Sequence, residues 1–377
     1  MASGFADRTG REQEVEVSIL RFDGRAPGPA DFAAPGLATP RWFDRPEVLA
    51  ACARTARAEG SEPVLCVIER DGRPVFQLPL RLRRRLGVME ALPLAAPLAQ
   101  DVDAIGEAPD ALPALQAALS TRLGVDLLVL RKLRADGALA RALVAGGIAP
   151  FAASAAPFID LAGFGDFAGY EAAFSSSTRR KSRQRRQAAE KALGALSFRA
   201  RPLGEEPGDR AALAQAITWK RAWLAEAGAV SAVIGTPWEG ALVEAALAGG
   251  AILSTLAAGE RLVAVELGMA SGDVYQAYLG AFDPDLARFS LGQEQMLRTI
   301  AWCFEAGFSA YDLLAPPDPY KSHWTRGDTA APMIDVVIPL SMSGRLAAFV
   351  ETHGRASAKQ AAERLPESAR AMLARLA

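Results

Sequence analysis

The chain is poor in the residues on which most catalytic chemistry is built. Its 377 residues include two histidines, His323 and His353, and three cysteines, Cys52, Cys66 and Cys303. Neither histidine has a second ligand or a glycine elbow nearby, which excludes zinc sites and serine-hydrolase triads. The cysteines lack metal-ligand spacing and cannot all pair, so they read as small buried hydrophobes in a reducing compartment. No Gly-x-x-x-x-Gly-Lys run and no Gly-x-Gly-x-x-Gly after a strand is present, which removes nucleotide hydrolysis and dinucleotide binding. An excess of either charge is missing too: 42 basic residues face 43 acidic ones. Bulk electrostatics therefore gives no case for coating DNA or a membrane, and any such contact must come from a local cluster. The N-terminal MASGFADRTGREQEVEV lacks the apolar core of an export signal, which predicts a cytoplasmic address. The long apolar run 241–259 carries Glu244 and is broken by Gly249-Gly250, so it reads as a helix followed by a strand and not as a membrane span.

What remains is a globular composition, 50% hydrophobic and 23% charged, long enough for two domains with their own cores. Residues 1–14 are polar and are expected to be disordered. From there the pattern predicts a strand at 14–20, a helix at 46–58 capped by Asp44, and a hairpin turning at Asp71-Gly72. Arg81, Arg83 and Arg85 fall on one strand face, either a solvated surface or an acceptor patch. A loop is expected over 87–110, a helix at 111–123 ended by Gly124, and a buried strand at 126–130. A helix at 138–145 follows, and 149–158 reads as a crossover. Helix, terminating glycine and short strand recur at Gly307, 183 residues after Gly124, and the turn glycines Gly72 and Gly259 are 187 apart. Near-equal offsets suggest two copies of one α/β unit.

The second half opens on Phe167, Tyr170 and Phe174 at helical spacing, followed by STRRKSRQRRQ. Arg179, Arg180, Lys181, Arg183, Arg185 and Arg186 occur there with no acid before Glu190. Such a run is either a solvated helix or an anion contact, for which arginine supplies a planar fork. A strand at 196–200, a helix at 211–227 and a strand at 333–340 complete the outline.

The densest signal lies between Arg261 and Trp324. RLVAVELGMA and DVYQAYLGAF form a hairpin about Gly272, and Leu297, Ile300, Ala301 and Phe304 mark an amphipathic helix that stops at Gly307. FSAYDLL (308–314) is a short strand, and Pro316-Pro317 leads into a loop DPYKSHWT. A loop entering a helix presents free N–H groups to an anion. Arg288, Ser290, Leu291, Gly292 and Gln293 stand at that entry, although Ser and Gly are also ordinary helix-start residues.

The run YLGAFDPDLARFSLGQEQMLRTIAWCFEAGFSAYDLLAPPDPYKSHWT resembles the C-terminal signature of the BioF-like, CelD-type acetyltransferases. These are a branch of the GNAT acyltransferase superfamily related to the FemABX peptidyltransferases. The resemblance rests on Phe282-Asp283, Leu291-Gly292, Gly307, Tyr311-Asp312 and Tyr320-Lys321 with Trp324, and extends more weakly over 63–350. This chain departs from the family in having APPDP before the Tyr-Lys pair, and in lacking a legible glycine-rich phosphate loop.

The resemblance implies an α/β (α+β) fold of tandem GNAT-like halves, each a mixed, mostly antiparallel sheet flanked by helices. The expected division is an N-terminal half over 15–156, a C-terminal half over 157–345 carrying the acyl-donor site, and a helical tail at 346–377. It implies acyl-CoA, with acetyl-CoA as the simplest, as co-substrate, no metal, and a small-molecule or glycan acceptor with an amine or hydroxyl. Arg288 through Gln293 would hold the donor. Gln276 and Tyr278 would face the cleft from one strand. Asp312, Glu266 or His323 would be the base and Tyr278 the acid, while Lys321, Tyr320 and Trp324 would line the active cleft. For Asp312 the alternative is a structural pair with Lys321. Two other readings stand beside this one: a FemABX-like transferase using aminoacyl-tRNA, and a non-catalytic accessory of polysaccharide synthesis.

Overall fold

The computed structural model describes residues 5–6, 12–13, 15–22, 24–33, 35–39, 41–326 and 329–354. Two compact units emerge. One comprises 1–39, 43–154 and 332–377; the other comprises 40–42 and 155–331.

The first unit opens with β1 (Phe5–Ala6) paired to β2 (Glu12–Gln13), a backbone ladder that the polar composition gave no reason to expect; the rest of 1–14 lies outside the described residues. Then come β3 (Val15–Arg21) and α1 (Pro46–Ala58). Helix α1 starts on Pro46 after Arg45 with no side-chain cap, so Asp44 does not cap it. β4 (Glu62–Arg70), β5 (Arg73–Arg85) and β6 (Val88–Pro93) form an antiparallel meander, with β7 (Ile105–Gly106) on β5. β6 lies where a loop was expected, because its prolines stand at and beyond the strand end, where no ladder N–H is lost. The Arg83 and Arg85 side chains converge on buried Glu90, and Arg81 is itself buried, its guanidinium pushed down to about 10 by desolvation. This face is thus solvated at its Arg85 end, where the cations are paired with Glu90, and buried at Arg81. Helix α2 (Leu112–Leu123) ends on left-handed Gly124, and β8 (Leu127–Arg134) returns parallel to β6 before α3 (Ala138–Ala145).

The chain passes into the second unit within β9 (Ala152–Asp160), a strand where a crossover was expected; its small residues leave the extended backbone free to pair with a neighbour. Short helices α4 (Leu161–Phe164) and α5 (Phe167–Ala172) precede the long α6 (Ser176–Leu193). β10 (Leu196–Pro202), α7 (Asp209–Glu226) and α8 (Trp238–Ala248) lead to the meander β11 (Ile252–Ala258), β12 (Arg261–Ser271) and β13 (Val274–Phe282). Helix α9 (Leu291–Glu305) connects to β14 (Ala310–Asp312), parallel to β13, and α10 (Pro319–Thr325) follows. The strand order is β10-β11-β12-β13-β14-β9.

The chain then supplies β15 (Ala330–Pro339) antiparallel to β8, and α11 (Met342–Phe349). From Pro332 onward these residues cluster with the first unit, whereas the sequence division carried the C-terminal half to 345; the ladder with the distant β8, from Met333 opposite Arg134 to Pro339 opposite Leu127, is what moves them. Residues 355–377 of the expected helical tail lie outside the described residues.

Both units therefore contain the same succession, a three-stranded meander, a helix, and a strand returning parallel to the third, which is the tandem GNAT-like arrangement of mixed, mostly antiparallel sheets flanked by helices. They differ beyond the parallel pair. In the first unit Leu94–Val102 fills the space next to β8: Leu94 and Leu98 are fully buried, and Val102 bridges Leu133. In the second, the β13–β14 ladder stops at Gln276 opposite Asp312 while β13 runs on to Phe282.

Candidate functional site

Three elements of the second unit, far apart in sequence, share one cavity of about 450 Å³. Helix α6 is started by Ser175, whose hydroxyl accepts from Thr178 N, and it is anchored by Ala189 and Leu193 against Leu286 and Leu291. With so narrow an apolar stripe, most of its cations stay off the core. Thr178, Arg179, Lys181, Ser182 and Arg185 line the cavity. None of these three cations has a carboxylate within ion-pair distance among the described residues, and the Arg179 Nε is buried without a partner.

Helix α9 supplies Gln293 and Leu297. Its start is tight: Ser290 is left-handed (φ 55°), and a Cβ on Gly292 would stand 2.9 Å from the Phe282 ring. Gly292 thus lets the first turn lie on β13, a packing role. Arg185 reaches across and donates to Gln293 Oε1 at 2.9 Å.

DPYKSHWT is a helix, not a loop. Asp318 caps α10 by accepting from Tyr320 N, and Pro319 occupies its first turn, a helix-start signature that the preceding Pro-Pro obscures. Tyr320, His323 and Trp324 face the cavity, joined by Glu171 and Phe174 from the α5 region. Trp324 is held by the Tyr170 hydroxyl, which donates to its carbonyl at 2.8 Å. Phe174, His323 and Trp324 make a three-ring wall with centroids 5.5–6.1 Å apart.

Among the residues expected at the site, Gln293, Tyr320 and Trp324 meet in this cavity, with His323. The others lie outside its lining. Arg288 is exposed and its guanidinium rests on Phe289; Leu291 is core. Gln276 is buried, accepting from Ser271 Oγ at 3.0 Å. Tyr278 sits at a β-bulge, since Gly268 pairs with Ala277 and Leu267 with Leu279, so strand alternation no longer aligns it with Gln276. Lys321 is buried and its Nζ donates to the carbonyls of Leu314 and Pro316, both at 2.7 Å. Burial pushes its ammonium down, opposed by Asp312 and Asp318. Asp312 accepts from Leu314 N at 2.7 Å. Both residues thus grip the segment between β14 and α10.

Glu266 is fully buried in β12. It accepts from the Tyr275 hydroxyl at 2.9 Å and from the Tyr311 hydroxyl at 2.9 and 2.8 Å, with the two rings stacked at 5.2 Å. Gly268 makes room for this, because a Cβ there would fall 2.2 Å from the Tyr275 oxygen. Desolvation raises the carboxyl to about 7 despite the two donors. Glu171, Phe174 and Leu297 were not foreseen as site residues. Only the helical spacing of Phe174 with Tyr170 hinted at a wall.

Residues 176–322, which contain α6, α9 and the first part of α10, match the acetyltransferase (GNAT) domain, so this part of the chain is a GNAT-type acetyltransferase domain. No curated protein matches the chain in sequence. Among solved structures, FemX is similar over 76% of this chain and 91% of its own at 12% identity (TM-score 0.54). The C-terminal domain of an Agrobacterium fabrum protein assigned as a lysylphosphatidylglycerol synthetase is similar over 86% and 94% at 14% identity (TM-score 0.52). A conserved Bacteroides thetaiotaomicron protein of unknown function is similar over 83% and 99% at 10% identity (TM-score 0.53). At such identities the likeness is one of fold. Among the described residues no helix is long and apolar enough to cross a membrane, and no group of three potential ligands could hold a metal ion.

Proposed function

We propose that the chain transfers an acyl group from acyl-CoA to an amine or hydroxyl acceptor, with donor and acceptor meeting in the α6–α9–α10 cavity. One observation carries this reading: Arg179, Lys181 and Arg185, without carboxylate partners among the described residues, line one cavity with an aromatic wall, and the cations belong to the stretch that matches the acetyltransferase domain. Cations suit the donor's phosphates and the rings suit its apolar arm. In the transfer step the acceptor nitrogen or oxygen bonds to the thioester carbon, the C–S bond breaks, and the thiolate leaves. His323 takes the acceptor's proton and Tyr320 gives one to the thiolate, both from the cavity wall. The edge of β13 beyond Gln276, past the end of its β14 ladder, supports stabilisation of the oxyanion by backbone N–H groups. Lys321 and Asp312 act as positioning residues for α10. A place in polysaccharide synthesis rests on the CelD-type resemblance alone.

A second reading, an aminoacyl-tRNA donor, is favoured by Arg180, Arg183 and Arg186, further cations on the same stretch of α6 that are outside the cavity lining. Calorimetry with coenzyme A separates the two. Arg179→Gln/Lys181→Gln/Arg185→Gln is expected to weaken coenzyme A binding at least about tenfold, equivalent to ~1.4 kcal/mol, whereas Arg180→Gln/Arg183→Gln/Arg186→Gln leaves it intact. Unchanged affinity in the first variant refutes the donor assignment, and loss of tRNA binding in the second supports the alternative.

A further inference from the structure

Glu171 is the one acid in the lining of the cavity. Its position is fixed from both sides. Helix α5 is capped by Asp166, which accepts from Gly169 N, and Tyr170, the adjacent residue, is fully buried with its hydroxyl on the Trp324 carbonyl. The Glu171 side chain is half-buried and has no cation within ion-pair distance among the described residues, although Arg179, Lys181 and Arg185 line the same cavity. A carboxylate and three cations that share a cavity without meeting leave it bipolar. Mobile charges of opposite sign would pair, and a half-buried carboxylate without a counter-charge is costly. The neighbouring wall already accommodates a cation, since the Arg326 guanidinium lies on the Phe174 ring at 4.7 Å.

We propose that Glu171 is a specificity-determining residue that holds a primary ammonium group of the ligand at the aromatic end of the cavity. It rests on the reading of this cavity as the transfer site. A neutral hydroxyl would hydrogen-bond to the carboxylate but leave its charge uncompensated, whereas an ammonium supplies both the donors and the charge. The ammonium belongs either to the acceptor or to the transferred acyl group, and paired probes distinguish the sources.

Calorimetry on the full chain compares β-alanyl-CoA with propionyl-CoA, and thermal unfolding compares n-butylamine with n-butanol. In one arm the ammonium probe is expected to bind at least tenfold more tightly, or to raise the unfolding temperature where its isostere does not. Glu171→Gln is expected to erase that preference while the neutral probes bind as before. Absence of an ammonium preference in both arms, or its survival in Glu171→Gln, overturns the proposal. Failure of every CoA probe to bind refutes the donor site instead, and the amine arm still reads Glu171. Glu171→Asp, which keeps the charge, is expected to retain part of the preference and controls for a folding defect.

Discussion

Replacing Glu266 by Gln removes a buried titration and leaves the side chain nearly isosteric. The carboxyl is held between the Tyr275 and Tyr311 hydroxyls and raised by burial from 4.5 to about 7. Because the folded state binds this proton more tightly than the unfolded chain, the associated stability is fully present below pH 4.5. It is lost as pH rises through 7. A displacement of that size corresponds to about 3 kcal/mol across the window, at ~1.4 kcal/mol per pH unit. Tyr275, Tyr311 and Cys303 around it are all pushed upward by burial, so they hold their protons throughout. The assay is urea unfolding of both proteins at pH 4.5, 6, 7 and 8. The amide of the variant donates where the carboxylate accepted, which costs about 1–3 kcal/mol if one N–H stays unpaired, but that cost is the same at every pH. The expected result is a difference between parent and Glu266→Gln that changes by about 3 kcal/mol from pH 4.5 to 8 in favour of the variant. Parallel profiles would refute the argument, and would mean that the carboxyl is solvated or paired with a cation.

Gly268→Ala is expected to cost roughly 1–3 kcal/mol or more in chemical unfolding, since its Cβ would overlap the Tyr275 ring inside a rigid stack. Lys321→Met strips the donor from two carbonyls and should lower stability by about 1–3 kcal/mol. A stable Lys321→Met protein with lost turnover would instead place the ammonium in the chemistry. Gly292→Ala, with a smaller conflict against one edge of Phe282, should cost less than Gly268→Ala in the same measurement, because a ring edge on β13 can give by a few tenths of an ångström.

Local chemistry made much of the second unit readable from residues alone. The β12–β13 hairpin turns at Gly272, α9 keeps its apolar stripe to Gly307, and the offsets of Gly72 from Gly259 and of Gly124 from Gly307 match the repeated meander, helix and strand. Such signals travel within a turn or two of the chain, so a sequence carries them whole. Even there, α10 was hidden behind Pro316-Pro317 and β9 by its small residues, as β6 of the first unit was by proline, because strand formation depends on a partner that is distant in sequence.

Which residues line the candidate cavity depends on tertiary structure. Arg179, Gln293 and Tyr320 were each conspicuous in the sequence, but their sharing one cavity depends on packing among α6, α9 and α10. Charge and periodicity do not say which cations of a helix will find acids. They also do not say that Lys321 will be spent on carbonyls, or that a bulge at Tyr278 will break the alternation of its strand. Burial decided the rest. The sequence determined that Glu266 is a carboxylate on a strand; only the fold, by enclosing it between two tyrosines, turned it into a group that takes up its proton near neutrality. A side chain's chemistry is local, whereas its solvation and its partners are properties of the packed chain.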